Sequence, residues 1–464
     1  MKNKYLKGLL FGVLIALTSC GANKHINFVV PEGGYDGSEV TIQFYNTMGT
    51  NLTPVLDEYI EKFNVEFPKI HVNYTSIGGW DDVRDQILTE ITEGNQPNLA
   101  YCYSDHVAAY NLAGAVTTLD GLIESKENKE LGGLGLSKEQ IEDFIPGYYA
   151  EGAKFGDDLM YTLPFSKSTE LLFYNETFFT KNNIPVPDHW FSTGTDDKTS
   201  MEAVCAAIKA IDPTGIPLGY DSEANWFITM CEQQKSPYTS ATGEHFLFNN
   251  DTNKATMKKF RSWYEKGWVT TQTIFGNYTN ICTTSQNIYM AVGSSAGAVH
   301  QRPAAVDGVY PFNVGISPIP QMDQKNKKVI SQGPSICIFQ KENPQEVIAS
   351  WLFLKYLTTS VDFQAAFSLE SGYVPCIQSV NNNEIYASNM RNANGGDNIA
   401  SLSAKVCLEQ ADYYFTSPAF NGSSTARDQV GNLLVRCLSE KTDNVDKLID
   451  DAFAEAIDEC EYAV

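Results

Sequence analysis

Gly293-Ser294-Ser295-Ala296-Gly297 fits G-x-S-x-G and follows an apolar run, 288–292, with strand character. A strand-to-helix turn of that pattern can lift a serine Oγ to attack an ester or amide carbonyl, provided that an acid and then a histidine follow later in the chain. His300 is the last of the six histidines and stands five residues after Ser295, on the same emerging segment, where it cannot turn back onto the serine. His25, His71, His106, His189 and His245 are dispersed and form no H-E-x-x-H pair, and no G-x-x-x-x-G-K-[ST] phosphate loop occurs. Carboxylate pairs for glycoside cleavage have no fixed sequence spacing, so the 56 acidic residues do not decide that chemistry. The expectation is a chain that is not an enzyme and carries no metal and no cofactor, with a secreted hydrolase as the remaining catalytic alternative.

Lys2, Lys4 and Lys7 precede an apolar stretch of ten residues, 8–17, and Leu17-Thr18-Ser19-Cys20-Gly21 follows at once. A hydrocarbon core needs about 20 apolar residues, so the stretch is a signal h-region rather than a membrane span. The cysteine directly after small residues resembles a bacterial lipobox. That motif implies cleavage after residue 19, lipid on Cys20 and tethering at the outer face of the cell membrane, where a two- or three-chain anchor holds stably. Losing residues 1–19 removes three of the 33 basic residues and none of the 56 acidic ones, so the charge moves from −23 to −26. A surface this acidic repels nucleic acid and anionic headgroups and suits a neutral ligand. The 25 Phe, 24 Tyr and 6 Trp supply core, and some can offer the flat apolar surfaces on which sugar rings stack. Besides Cys20, nine cysteines are widely spaced with no C-x-x-C pair, which predicts buried apolar thiols with at most one bridge.

The elements that must position any site alternate. Residues 40–45, 70–76 and 98–103 have strand character, and helices are expected over 54–67 and 81–93, the first stopped by Pro68. Strand–helix–strand–helix–strand predicts a parallel sheet with right-handed crossovers, and ligands sit beyond the carboxyl ends of such strands. That rule points to the segments after Tyr45 and after Tyr103. Strands are further expected at 171–174, 288–292 and 336–339, with helices from 175 and over 201–211, 254–264 and 345–357. At the C-terminus, Val445, Leu448, Ile449, Ala452, Phe453, Ala456, Ile457 and Cys460 form one apolar stripe, which marks a scaffold helix.

Four segments carry a family resemblance. Residues 44–72 (FYNTMGTNLTPVLDEYIEKFNVEFPKIHV) open with a strand and a helix ending in F-N-x-E-x-P. Residues 88–120 contain G-N-Q-P-N and G-A-V-T-T-L-D. Residues 163–190 contain L-P-F-S-K-S-T-E-L-L-F-Y-N. Residues 332–376 run from QGPSICIF to SGYVPC. In this order they resemble a family 1 extracellular solute-binding protein of an ABC importer. The resemblance implies an α/β fold of two Rossmann-like, discontinuous lobes joined by a hinge, periplasmic-binding-protein-like of type II. Lobe one would be residues 38–166 plus 328–372 and lobe two 167–327 plus 373–464, after a signal peptide at 1–19 and a lipidated linker at 20–37. The chain would cross between lobes near 164–170, 318–330 and 371–377.

It further implies a monomer that clamps a carbohydrate or glycerophosphodiester between the lobes and docks, closed, on ABC permease subunits. A surface glycan-binding lipoprotein without a transporter is the alternative. Carried across by position, the ligand-binding residues would be Tyr103, Ser168, Thr169, Trp226, Ser294, Ser295, Gly333, Tyr373 and Arg427. Glycerol-phosphate-binding members place a glutamate after the tyrosine that matches Tyr103. Here Ser104 and then Asp105 follow, so Asp105 is the candidate for that carboxylate, and an oligosaccharide ligand stands beside glycerol phosphate.

Overall fold

The computed structural model describes residues 27–129, 132–157, 159–281 and 287–463. The expected leader, Cys20 and Cys282 lie outside them. Residues 28–37, expected as a spacer, are tied to the body: the Tyr35 N–H donates to Asn128 Oδ1 at 2.7 Å, and the Asp36 N–H donates to Gln345 Oε1 at 3.1 Å.

Twelve strands are present among the described residues: β1 (Val40–Asn46), β2 (Ile70–Ser76), β3 (Leu99–Cys102), β4 (Thr162–Pro164), β5 (Ser168–Asn175), β6 (Ile216–Tyr220), β7 (Val269–Thr271), β8 (Ile288–Ser294), β9 (Val314–Pro318), β10 (Val329–Gln332), β11 (Ser335–Ile338) and β12 (Tyr414–Phe415). They form two sheets. The first has the order β2-β1-β3-β11-β4. Its β1 buries Val40, Ile42, Phe44 and Asn46 and turns the alternate side chains outward, the pattern of a half-covered strand. β1 pairs in parallel with β2 and β3 through the helices Thr53–Glu66 and Trp80–Glu93, as the alternation predicts. The sheet is nevertheless mixed, because β11 returns from far along the chain and lies antiparallel between β3 and β4.

The second sheet is centred on β5. It pairs antiparallel with β8 on one side and with β9 and β10 on the other, and β6 and β7 continue in parallel beyond β8. Six consecutive residues of β5 are buried, so the strand is covered on both faces.

Each sheet has its own core. Phe44, Phe63, Phe165 and Phe353 meet under the first sheet, and Trp190, Trp226, Phe260 and Trp263 under the second. The helix Val445–Tyr462 buries Leu448, Ile449, Ala452, Phe453, Ala456 and Cys460, matching the expected stripe, against the helices Asp251–Glu265 and Ser423–Ser439. The eight cysteines among the described residues are unbridged and buried. No helix among the described residues is long and apolar enough to cross a membrane.

The chain passes between the sheets three times. The first passage, 165–167, links β4 to β5. The second is Gly333–Pro334, between β10 and β11, because Ser331 and Gln332 still pair with Thr169 and Ser168 while Ser335 already faces Cys102 and Pro164. The expectation of a passage at 318–330 ends upstream of this point. Residues 329–338 are strand on both sides of one glycine–proline break, and Gly333 takes φ +86°, where an added Cβ would sit 2.6 Å from the Ser166 carbonyl oxygen. The third passage, 372–375, follows the helix Val361–Ser371. Beyond it, Ile377, Val380 and Tyr386 pack with Phe144 and Ala365 before the chain joins the second core.

Candidate ligand-binding site

The carboxyl end of β3 runs straight into the helix Ser104–Asn111, with Tyr103 as its N-cap and Asp105 in its first turn. The acid sits where the partial positive charge of the helix end favours it. Across from it stands the helix Ser423–Ser439, entered through Gly422 at φ +92°. Ser423 at its start and Arg427 one turn on line a cavity that Tyr103, Ser104 and Asp105 line from the other side. Glu151, Tyr238, Gln332 and Ser417 complete the wall.

Two polar contacts set this face. The Ser424 hydroxyl donates to Asp105 Oδ2 at 2.8 Å, joining the two lobes across the cavity. Arg427 Nη2 donates to Asn225 Oδ1 behind it. Burial raises the Asp105 carboxyl, but the neighbouring His106 and Arg427 charges and the Ser424 hydroxyl hold it below its ordinary value. Burial pushes the Tyr103 phenol far up. Tyr103 packs on the Trp80 ring with centroids 4.5 Å apart. Tyr103 therefore offers an aromatic face and an un-ionised hydroxyl rather than a titrating group.

Several polar atoms of the wall are buried without a hydrogen-bond partner: Thr239 Oγ1, Ser331 Oγ, Gln332 Oε1 and Ser417 Oγ. Native proteins satisfy nearly all such groups, because each unmade bond costs about 1–3 kcal/mol. Four of them around one cavity, beside two carboxylates and a guanidinium, make a surface that can bond a molecule rich in hydroxyls. The cavity holds about 90 Å³, short of the roughly 300–1,000 Å³ of small-molecule sites. A sizeable guest therefore enters only when the lobes part.

Of the ten expected ligand residues, Tyr103, Asp105 and Arg427 line this cavity. Tyr373 lies on the third passage, close enough for its phenol to act on that of Tyr103. The others do different work. Thr169 donates its hydroxyl to the Ile330 carbonyl at 2.7 Å, and its N–H donates to Ser295 Oγ at 3.2 Å. Ser294 Oγ accepts the Ala296 N–H at 3.3 Å. Ser168 is buried in the β5–β10 pairing, and Gly333 relieves a backbone clash. These residues serve strand pairing, a turn cap and a chain passage, and none lines the cavity. Trp226 is fully buried, stacked on Tyr220 at 4.9 Å and tilted against Phe260 at 4.4 Å, and does not line the cavity. Ser295, the serine of the elbow pattern, is 0% exposed and already accepts an N–H, so no nucleophile is presented there. Glu151, Tyr238, Gln332 and Ser417 escape sequence reading. Gln332 alone carries a signal, as the residue before the Gly-Pro break.

A family model for bacterial extracellular solute-binding proteins matches residues 58–394. An uncharacterized lipoprotein of Streptomyces antibioticus is 28% identical over 137 residues, 29% of this chain and 27% of its own. The sn-glycerol-3-phosphate-binding periplasmic protein UgpB of Escherichia coli K12 is 25% identical over 182 residues, 39% of this chain and 38% of its own. The chain thus spans about a third of the length of the curated relatives it matches. Two solved structures share the fold at TM-score 0.69. UgpB of Mycobacterium tuberculosis, in complex with glycerophosphocholine, is 16% identical, and the sugar-binding protein MalE of Xanthomonas citri is 17% identical; each match covers 91% of this chain and 98% of the other. At these identities the likeness carries the fold, a mixed α/β body of two lobes.

Proposed function

The chain belongs to the bacterial extracellular solute-binding proteins, and from that premise we propose that it captures a polyhydroxylated solute between its lobes and delivers it to an ABC importer. The first choice of solute is an oligosaccharide. One observation carries this reading: the unpartnered Thr239, Ser331, Gln332 and Ser417 atoms share a cavity with Asp105 and Glu151. Sugar hydroxyls donate and accept at once, so they satisfy carboxylates and unpaired hydroxyls together. Tyr103 packs on Trp80 and supplies an apolar face beside them. Members of this family are binding proteins, and the role asked of this chain is clamping, with no covalent step.

Lobe one would consist of the first sheet and its helices, and lobe two of the second, hinged at the three passages. A ligand touching both lobes favours the closed arrangement, the form a permease would accept. Tethering through lipid on Cys20 would keep the body at the outer membrane face.

A glycerophosphodiester is the second reading. It is favoured by Arg427 and the helix end at Ser423, which together suit a phosphate. Asp105 already stands at that end through Ser424, which is why the neutral ligand comes first. Calorimetric titration with maltotriose, a cyclic maltooligosaccharide and glycerophosphocholine separates the two. Saturable binding of a sugar supports the first reading. Binding of glycerophosphocholine alone supports the second, and no heat from any of the three, with the protein folded, rejects both.

A further inference from the structure

Lys167 sits at the centre of the hinge. It is 0% exposed on the first passage. Its Nζ donates to the Gly333 carbonyl at 3.2 Å and to Ser335 Oγ at 3.0 Å, both at the second passage. Its backbone N–H donates to the Val374 carbonyl at 2.9 Å, and it receives the Val374 N–H at 2.6 Å, so the third passage is bound too. The remaining Nζ bond, 2.9 Å long, goes to Glu151 Oε2. Glu151 ends the helix Pro146–Glu151, is 4% exposed, and lines the cavity. Among the described residues its other oxygen is met by the Ser104 hydroxyl at 3.5 Å, too long for a good bond.

We propose that Glu151 takes a hydroxyl of the ligand and that Lys167 is the positioning residue that passes this contact to all three interlobe passages. The proposal rests on the reading of the cavity as a solute site and deepens it. A buried ion pair gains little stability over well-packed apolar residues of the same volume, so packing alone does not account for a lysine here. A carboxylate with one oxygen on the hinge and one on the cavity has a stake in both. A hydroxyl donated to Oε1 completes its bonding while the passages are drawn together. When the lobes part, water reaches both ends and the preference disappears. Occupancy therefore favours the arrangement in which Lys167 holds the three passages.

The test uses the wild-type chain, Glu151→Gln, Lys167→Met and the double variant. The double variant removes both charges with little change of volume, so it folds even where a single change leaves a buried charge unpaired. Without ligand, amide hydrogen exchange at positions 167 and 374, corrected for intrinsic rates, should be roughly tenfold faster or more in the double variant than in wild type, with the sheet cores unchanged. Equal exchange at these two amides overturns the coupling, whatever the ligand proves to be. With maltotriose or glycerophosphocholine, Glu151→Gln should bind roughly 10- to 100-fold more weakly. The double variant should also lose the ligand-induced fall in radius of gyration measured by X-ray scattering. Wild-type affinity together with wild-type compaction in the double variant overturns the role of Glu151. If wild type binds neither probe, the solute reading fails, and the exchange comparison still decides the hinge coupling.

Discussion

Replacing Glu170 with glutamine should flatten the pH dependence of stability near neutrality. Glu170 lies on β5 at 1% exposure. The Tyr220 hydroxyl donates to its Oε2 at 2.6 Å, the Asn225 amide on the next helix also favours its charged form, and the charges of Arg427 and Asp221 reach it. Burial outweighs these bonds and pushes the carboxyl from 4.5 up to about 7. Between those values the folded chain keeps a proton that the unfolded chain has released. Its contribution is therefore complete below pH 4.5 and is lost as pH rises through about 7. A displacement of that size corresponds to about 3 kcal/mol. Glutamine offers Tyr220 the same acceptor and cannot ionise. Urea denaturation should find wild type and Glu170→Gln alike near pH 4.5, with the variant ahead by up to about 3 kcal/mol above pH 7. Parallel pH curves for the two proteins would refute the reasoning. Because Arg427 lowers this carboxyl's affinity for protons, a phosphate that neutralises Arg427 should draw a proton onto Glu170. Glycerophosphocholine binding near pH 7 should then show proton uptake in buffers of different ionisation enthalpy, and sugar binding should not.

Further outcomes are expected. Trp226→Ala empties a stacked core site and should lose about 3–5 kcal/mol in urea denaturation, with ligand affinity of the folded fraction little changed. Gly333→Ala forces a Cβ to within 2.6 Å of the Ser166 oxygen at φ +86° and should lose about 1–3 kcal/mol by the same measurement. Arg427→Ala should weaken glycerophosphocholine binding by roughly 10- to 100-fold and maltotriose binding less, read by calorimetry. Cys20→Ser should move the protein from the membrane fraction to the soluble fraction on immunoblotting.

What the sequence discloses follows the range of the forces that set each feature. The strands β1 to β3 and the helix Val445–Tyr462 are written in local periodicity, and the packing reads that pattern directly. Trp226 misleads because its helix, Glu223–Gln233, is buried at eight of eleven positions, so no stripe separates a core face from a cleft face. The position of the second passage misleads for another reason. Which sheet β10 joins is settled by pairing Ser331 and Gln332 with Thr169 and Ser168, more than 160 residues away.

The cavity is the extreme case of that distance. Asp105 and Ser424 meet across 319 positions, and Glu151 and Arg427 arrive from further segments, so no local pattern can announce their meeting. One local anomaly still points there. Lys167 stands in L-P-F-S-K-S-T-E-L-L-F, a run that apart from it and Glu170 is fit for burial, and it is the one cation there. A buried ammonium needs an acceptor set of its own. Such a lysine therefore implies a carboxylate brought to it by the fold. Here that carboxylate is Glu151, which reaches the cavity as well as the hinge. The cation that looks out of place in the sequence is the one that connects the two.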